Sequence, residues 1–248
     1  MTEEKISKRQ MLREKRRRAT ARNRWITLGF VTVGALLLAF ALIVPNLKPI
    51  GEIATTTPSP RPMASDNSMG DPNAPIKIEE FSDYQCPYCR RFYLETESQL
   101  VETYITTGKV YFTYRSFGEF IGPESRAAAE AAYCAGEQNK YWEFHDILFA
   151  NQTGENVGNY TDRRLLAFAE TLNLDMGAFR SCFESGKYSQ RVDQDYQDGS
   201  TAGVQATPSF VLTYVVNGET RQSIIAGAYP FSEFQAQIEA ALAEMGLQ

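Results

Sequence analysis

The sequence predicts an α/β sandwich interrupted by a block of helices and preceded by a single N-terminal transmembrane helix. Three observations carry this expectation. A Cys86-Pro87-Tyr88-Cys89 motif stands at a strand-to-helix junction, a long helical stretch separates two sets of strands, and an uncharged apolar run follows a basic N-terminus.

The basic N-terminus comprises Lys8, Arg9, Arg13, Lys15, Arg16, Arg17, Arg18, Arg22 and Arg24, with few acids among them. Trp25 to Val44 follows without a charge. A run of about 20 residues at roughly 1.5 Å each matches the ~30 Å core of a bilayer. Residues 1–24 therefore read as a cytoplasmic tail and residues 25–44 as a transmembrane helix. The positive-inside rule sends the rest to the periplasmic or extracellular side. A cleaved signal peptide is the rival reading. Against it, the run exceeds the usual apolar region of about 7–15 residues, and no small-x-small site follows. The basic run also fits a nucleic-acid patch, but beside a spanning segment its role is a topology signal. Residues 45–75, rich in Pro, Thr and Ser, bury too little apolar surface to fold alone and read as a disordered tether. The remaining span, residues 76–248, is long enough for one substantial core.

Charge and cysteine usage narrow the function classes. The chain carries 25 Lys and Arg against 30 Asp and Glu, a formal net charge of −5. With many of the basic residues confined to the tail, the exported part is acidic and unsuited to nucleic acid. All 4 cysteines lie beyond the apolar run, in a compartment where disulfides persist. A zinc site would need a second close cysteine pair or paired histidines. Cys134 and Cys182 stand far apart and His145 is the 1 histidine, so no metal is expected.

Within the folded part, Ile76 to Phe81 reads as a short buried strand. Tyr88, Phe92, Leu100, Tyr104 and Ile105 then recur at roughly helical spacing. Val110 to Arg115 is β-branched and aromatic enough for a second strand. Helical segments follow over Pro123–Ala135, Tyr141–Phe149, Asp162–Leu172 behind a Thr161 cap, a stretch to Phe183 behind an Asp175 cap, and Lys187–Thr201. Phe210–Val216 and Thr220–Ile225 flank Asn217-Gly218, the favoured dipeptide of a two-residue hairpin turn. A closing helix is expected from Ser232, with Gln235 completing a capping box.

The CxxC motif carries the chemistry. Pro87 suits the first helical position, where its missing N–H costs nothing, so Cys86 falls at the positive end of the helix dipole. A thiol there has its pKa lowered from about 8.5 to between roughly 3.5 and 7.5. Cys86 is thus the expected attacking sulfur. Cys89, one turn further in, resolves the mixed disulfide. The same CxxC could be half of a zinc site, the reading that lacks partners here.

Three segments match one family in order: Glu80-Phe81-Ser82-Asp83-Tyr84-Gln85-Cys86-Pro87-Tyr88-Cys89, Tyr141-Trp142-Glu143-Phe144-His145-Asp146, and Gly203-Val204-Gln205-Ala206-Thr207-Pro208-Ser209-Phe210. Over nearly all of Ile76 to Gln248 the chain resembles the DsbA-like branch of the thioredoxin superfamily, the exported thiol-disulfide oxidoreductases. The resemblance implies a thioredoxin-like fold with a helical insertion at about residues 119–202. It implies a cis peptide before Pro208, which faces the CxxC, keeps backbone groups open to an extended substrate and keeps metal off the thiols. Thr207 would pair with the substrate and border Cys86, and Pro87 and Tyr88 would complete the substrate-binding surface. Glu80 matches a buried acid beneath the disulfide that exchanges a proton with Cys89. Neighbouring Glu79 is the alternative, since strand alternation turns one of the two inward.

Other residues read more plainly. His145 sits among Trp142, Phe144, Ile147, Leu148 and Phe149 and reads as a packing histidine. Arg90 and Arg91 read as a solvated helix face, with added positive charge near Cys86 as the functional alternative. Cys134 and Cys182, spare cysteines in one subdomain of an exported protein, read as a structural disulfide, against a second redox pair or two free thiols.

The resemblance implies an enzyme whose working group is the Cys86–Cys89 disulfide, with no cofactor. It would act on reduced or unfolded exported proteins and be reoxidised by a membrane partner of the DsbB or vitamin-K-epoxide-reductase type. The direction is not fixed by the motif. Pro-Tyr lacks the histidine of the strongest oxidants, and Thr207 with Pro-Tyr also occurs in isomerase-type relatives. Those relatives carry a dimerisation domain where this chain has a tether, which favours a monomeric, membrane-anchored oxidase. An isomerase or reductase, or a non-catalytic tethered chaperone, is the alternative.

Overall fold

The structure, a computed structural model, describes residues 8–47, 49–57, 59–118 and 121–247. Residues 1–7 of the basic tail and the expected start of the insertion at residue 119 lie outside the described residues. The chain divides into two compact units, Met1–Gly51 and Glu52–Gln248.

The first unit is one helix, α1 (Lys8–Leu47), of 40 residues. Its Met11–Ala41 stretch, with an 18-residue window of mean hydropathy 1.8, has the length and composition to cross a membrane, a test that a signal sequence near the N-terminus also passes. The helix is longer than residues 25–44 because nothing in the basic segment breaks the helical repeat. Polar side chains inside it satisfy themselves locally: the hydroxyls of Thr27 and Thr32 donate to the carbonyls of Asn23 and Leu28 at 2.9 and 3.0 Å.

The second unit is built on a five-stranded sheet of order β1-β3-β2-β4-β5. The strands are β1 (Ser68–Met69), β2 (Ile76–Ser82), β3 (Val110–Ser116), β4 (Ser209–Val216) and β5 (Glu219–Ala226). Strands β2 and β3 pair in parallel, and the other pairings are antiparallel. The parallel crossover carries α2 (Pro87–Glu95), α3 (Glu97–Leu100) and a π-helical turn over Val101–Ile105. The periodicity from Tyr88 to Ile105 suggested one helix. The chain breaks at Thr96, whose hydroxyl donates to the Tyr229 carbonyl at 3.1 Å and whose backbone leaves helical geometry.

Between β3 and β4 lie α4 (Pro123–Gly136), α5 (Tyr141–Ala150), α6 (Asp162–Thr171), α7 (Met176–Glu184) and α8 (Ser189–Ala202). A disulfide joins Cys134 of α4 to Cys182 of α7, with the Cα atoms 5.8 Å apart. Asp175 caps α7 by accepting from Ala178 N at 3.0 Å, whereas Thr161 makes no side-chain cap. In the hairpin turn, Asn217 and Gly218 both have positive φ, at 52° and 82°, as a two-residue turn of this kind requires. The closing helix is α9 (Phe231–Glu244), and Pro230 stands at its N-cap, so the expected Ser232 capping box does not form. Proline with its fixed φ already directs the chain into the first turn.

Strand alternation splits the core. Ile76, Ile78, Phe112, Tyr114, Phe210 and Leu212 belong to a large cluster shared with α2, α4, α5 and α9. Phe81 and Val211 join Phe117 and Val204 in a smaller one, onto which Tyr196 and Ala202 of α8 pack. Gly199 lets α8 approach: a Cβ there would stand 2.6 Å from a Phe81 ring carbon.

Residues 45–75 are not a disordered tether in this structure from Glu52 onward. Ile53 packs on the core, and Ala54 exchanges hydrogen bonds of 3.0 and 2.8 Å with the Asn151 side chain. Strand β1 adds to the β3 edge, where the Asn67 amide donates to the Tyr114 carbonyl at 2.6 Å. Arg61 is buried. The segment is a strap over the domain, held by polar contacts that a count of apolar residues does not register. The domain therefore begins before Ile76.

Candidate active site

The loop from Ser82 to Cys86 sets the site. Asp83 is buried, and its Oδ1 accepts from Gln85 N at 2.8 Å while its carbonyl accepts from Cys86 N at 3.0 Å, a tight turn that starts α2 at Pro87. The helical insertion holds this turn. Gln85 donates to Ser125 Oγ at 2.8 Å, and its carbonyl accepts from Gln152 Nε2 at 2.6 Å. Its side-chain oxygen accepts from Asn156 N at 2.6 Å.

Cys86 is the N-cap of α2 with extended backbone, and Cys89 lies one turn inside. Both are reduced thiols. Cys86 Sγ lies 3.4 Å from the Thr207 carbonyl, whereas Cys89 has no exposed surface and its sulfur accepts from Asp83 N at 3.5 Å. The peptide between Thr207 and Pro208 is cis. Pro87, Tyr88 and Thr207 line a shallow groove with Cys86, and Tyr88, 57% exposed, stands between it and a second groove bordered by Arg91 and Tyr229.

The two thiols differ electrostatically. The Cys86 thiol is lowered from 9.0 to about 6, chiefly by the hydrogen bond from the Cys89 side chain, against the opposing effect of burial. Contacts with Thr207 and with the backbone N–H groups of Cys89 and Tyr88 lower it further. Burial, with the Cys86 charge and Glu80 alongside, pushes Cys89 well up. A stable thiolate faces the groove and a reluctant thiol lies behind it.

Of the neighbouring acids, Glu80 is the buried one, while Glu79 meets Arg115 at the sheet surface at 2.8 Å. Burial pushes the Glu80 carboxyl well above its usual range, Glu97 adds to the rise, and Ser82 and Arg61 oppose it. Burial also raises Asp83 to about 7.

Several neighbours were not singled out in the sequence. Asp83 carries a local signal, since an aspartate side chain readily accepts from the backbone N–H two residues on and so favours such a turn. Arg61 and Glu97 carry none, because their pairing spans 36 residues. His145 is fully buried, with aromatic contacts to Tyr84, Tyr93, Tyr114, Trp142 and Phe149, and its Nδ1 lies 3.0 Å from Asp146 Oδ1. Arg91 is exposed, as a solvated helix face requires, and donates to the Ala228 carbonyl at 2.8 Å, whereas Arg90 is partly buried and donates to the Phe149 carbonyl at 3.0 Å. Among the described residues no group of three or more His, Cys, Asp and Glu side chains is arranged to hold a metal ion.

A family model described as thioredoxin matches residues 64–240. The chain belongs to the thioredoxin family. Within that family its likeness is to DsbA-type thiol-disulfide oxidoreductases. It is 29% identical over 192 aligned residues to a probable disulfide bond formation protein D of Bacillus anthracis, covering 75% of this chain and 87% of that one. The Wolbachia pipientis α-DsbA1 crystal structure superposes with a TM-score of 0.64 at 25% identity, covering 75% of this chain and 96% of that one. A Na(+)/H(+) antiporter NhaA 1 of Salinispora arenicola is 30% identical over 72% of this chain, and the chain spans 25% of that antiporter's length. The family model begins at residue 64, so this thioredoxin-family domain takes in β1, ahead of the expected start at Ile76.

Proposed function

We propose that this protein is an extracytoplasmic thiol-disulfide oxidoreductase, anchored by α1 with its N-terminus in the cytoplasm, that donates the Cys86–Cys89 disulfide to reduced exported proteins. The observation that carries the reading is the asymmetry of the pair: Cys86 is lowered to about 6 while Cys89 is pushed up. In the donating direction a substrate thiolate attacks Cys86 Sγ, the Cys86–Cys89 bond breaks, and Cys89 leaves as a thiolate that takes a proton from Glu80. A second substrate thiolate then attacks the substrate sulfur of the mixed disulfide. The substrate disulfide forms, Cys86 departs as a thiolate, and the enzyme holds the two electrons. A low-pKa leaving sulfur favours this last step. Thr207 and Pro208 supply backbone beside Cys86 for an extended substrate, with Pro87 and Tyr88 at its flank. Reoxidation falls to a membrane oxidant of the DsbB or vitamin-K-epoxide-reductase type. The disulfide serves without a cofactor, and the chain works as a monomer.

Trapping tests the roles. Cys89→Ser is expected to accumulate mixed disulfides with exported proteins through Cys86, and Cys86→Ser to accumulate none. Adducts formed chiefly through Cys89 would reverse the assignment, and an absence of adducts in both variants would leave the domain a binding module.

A further inference from the structure

The polar cluster behind the thiols holds more buried charge than exchange itself uses. Arg61 Nη1 lies 2.5 Å from Glu97 Oε1 and its Nη2 2.7 Å from Asp146 Oδ1, with the Arg61 side chain 8% exposed and both carboxylates 3%. Its guanidinium also stands 4.6 Å over the Trp142 ring. His145 bridges the two acids, with Nδ1 3.0 Å from Asp146 and Nε2 3.8 Å from Glu97 Oε2. One guanidinium therefore offsets two buried carboxylates.

This cluster reaches the acid behind Cys89 through one aromatic layer. Glu80 pairs with Tyr114 in the β2–β3 register, and the Tyr114 ring packs 5.1 Å from that of His145. Glu80 Oε2 and Glu97 Oε2 are both buried without a protein hydrogen-bond partner. In such a low-dielectric interior, charges act on one another across several ångströms. The titratable groups that interact with Glu80 are Cys86 and Cys89 at the start of α2, Glu97 from α3, Tyr114 from β3, Tyr84 from the preceding loop and Arg61 from the strap. His145 and Asp146 of α5 lie one contact further out, against Tyr114 and Arg61.

We propose that Arg61 is a positioning residue for the thiol chemistry, its charge keeping Glu80 available to accept the Cys89 proton, so that the strap leading from α1 forms part of the redox machinery. The proposal rests on the exchange function argued above. Arg61 favours the ionised Glu80 carboxylate and Glu97 disfavours it, in keeping with the opposite senses of their effects on Glu80. In closure, Cys89 passes its proton to Glu80 and its sulfur attacks Cys86 Sγ. The Cys86–Cys89 bond forms, the bond from Cys86 to the partner sulfur breaks, and the partner leaves as a thiolate that is protonated by water.

The test uses the full chain, reduced, in detergent micelles, mixed rapidly with excess oxidised glutathione. The first phase scales with glutathione and reports attack by Cys86; the second is independent of its concentration and reports closure by Cys89. Arg61→Gln is expected to move the midpoint of the closure pH profile upward and slow closure severalfold at neutral pH, with the first phase retained. Glu97→Gln should move the midpoint downward, the double variant should return it close to that of the unmodified protein, and Arg61→Lys should lie nearest to it among the single variants. A purely structural Arg61 would lower thermal stability and leave every midpoint in place, which would overturn the proposal. Should Arg61→Gln fail to fold, an unmoved midpoint in Glu97→Gln overturns it equally. Loss of the first phase from the unmodified protein would instead defeat the exchange function on which the proposal rests.

Discussion

At the scale of the residue, the chemistry is a division of labour between two sulfurs three positions apart. Pro87 opens α2 and leaves Cys86 as its cap, so the same short motif places one thiol at a helix end and the other inside the first turn. The lowering of Cys86 to about 6 gives a direct expectation. In reduced protein, alkylation of Cys86 by iodoacetamide should rise with pH through a midpoint near 6, and Cys89 should stay unreactive. A midpoint near the ordinary ~8.5 of a free thiol would contradict the asymmetry. The stability linkage carries a sign. Folding depresses the Cys86 pKa, so its thiolate contributes stability that is fully present above the unfolded value and is lost as pH falls through about 6. Denaturant melts of reduced protein, compared with Cys86→Ser, should show this loss; an identical pH dependence in both would contradict it. Asp83 works oppositely: raised from 3.8 to about 7, it makes stability fall as pH rises between those values.

At the scale of the element, the insertion both braces the domain and fixes the catalytic loop. The Cys134–Cys182 bond spans 48 residues and ties α4 to α7, while Ser125, Gln152 and Asn156 hold Gln85 in the turn before Cys86. Replacing both cysteines by alanine is expected to cost about 4 kcal/mol on the chain-entropy account, read by thermal or denaturant melting, with the Cys86 reaction preserved. Two free thiols in titrated oxidised protein would remove the basis for this expectation. Much of this level was legible in the sequence. Strands β2 to β5 showed through short buried or β-branched and aromatic runs and the Asn217-Gly218 turn, and the helices showed through Pro123, Asp175 and apolar spacing. What was not legible rests on long-range polar contacts. The break at Thr96 depends on a carbonyl 133 residues away, and Pro230, not Ser232, begins the last helix. At the site, the motif residues could be named from local spacing, but Arg61 and Glu97 could not, because burial of an ion pair leaves no periodic trace.

At the scale of the molecule, the strap changes what counts as the domain. A composition poor in large apolar residues suggested a tether up to Pro75, yet Arg61, Asn67 and β1 are fastened to the folded body. A chain starting at Ile76 is expected to melt well below one starting at Glu52, because Glu97 and Asp146 would be left buried without Arg61, a loss of about 3–5 kcal/mol for a broken buried pair. Equal melting temperatures would show the strap to be dispensable. Limited proteolysis should agree, with cleavage ahead of Glu52 and protection from Arg61 to Pro75.

The most direct test of disulfide donation by an asymmetric thiol pair is the reduction potential of Cys86–Cys89 in the full chain, equilibrated with glutathione buffers and read by thiol trapping. A stabilised Cys86 thiolate favours the reduced form, so the expected potential lies on the oxidising side, between the roughly −120 mV of DsbA and the roughly −180 mV of protein disulfide isomerase. A potential near the roughly −270 mV of thioredoxin would contradict donation and make the protein a reductase.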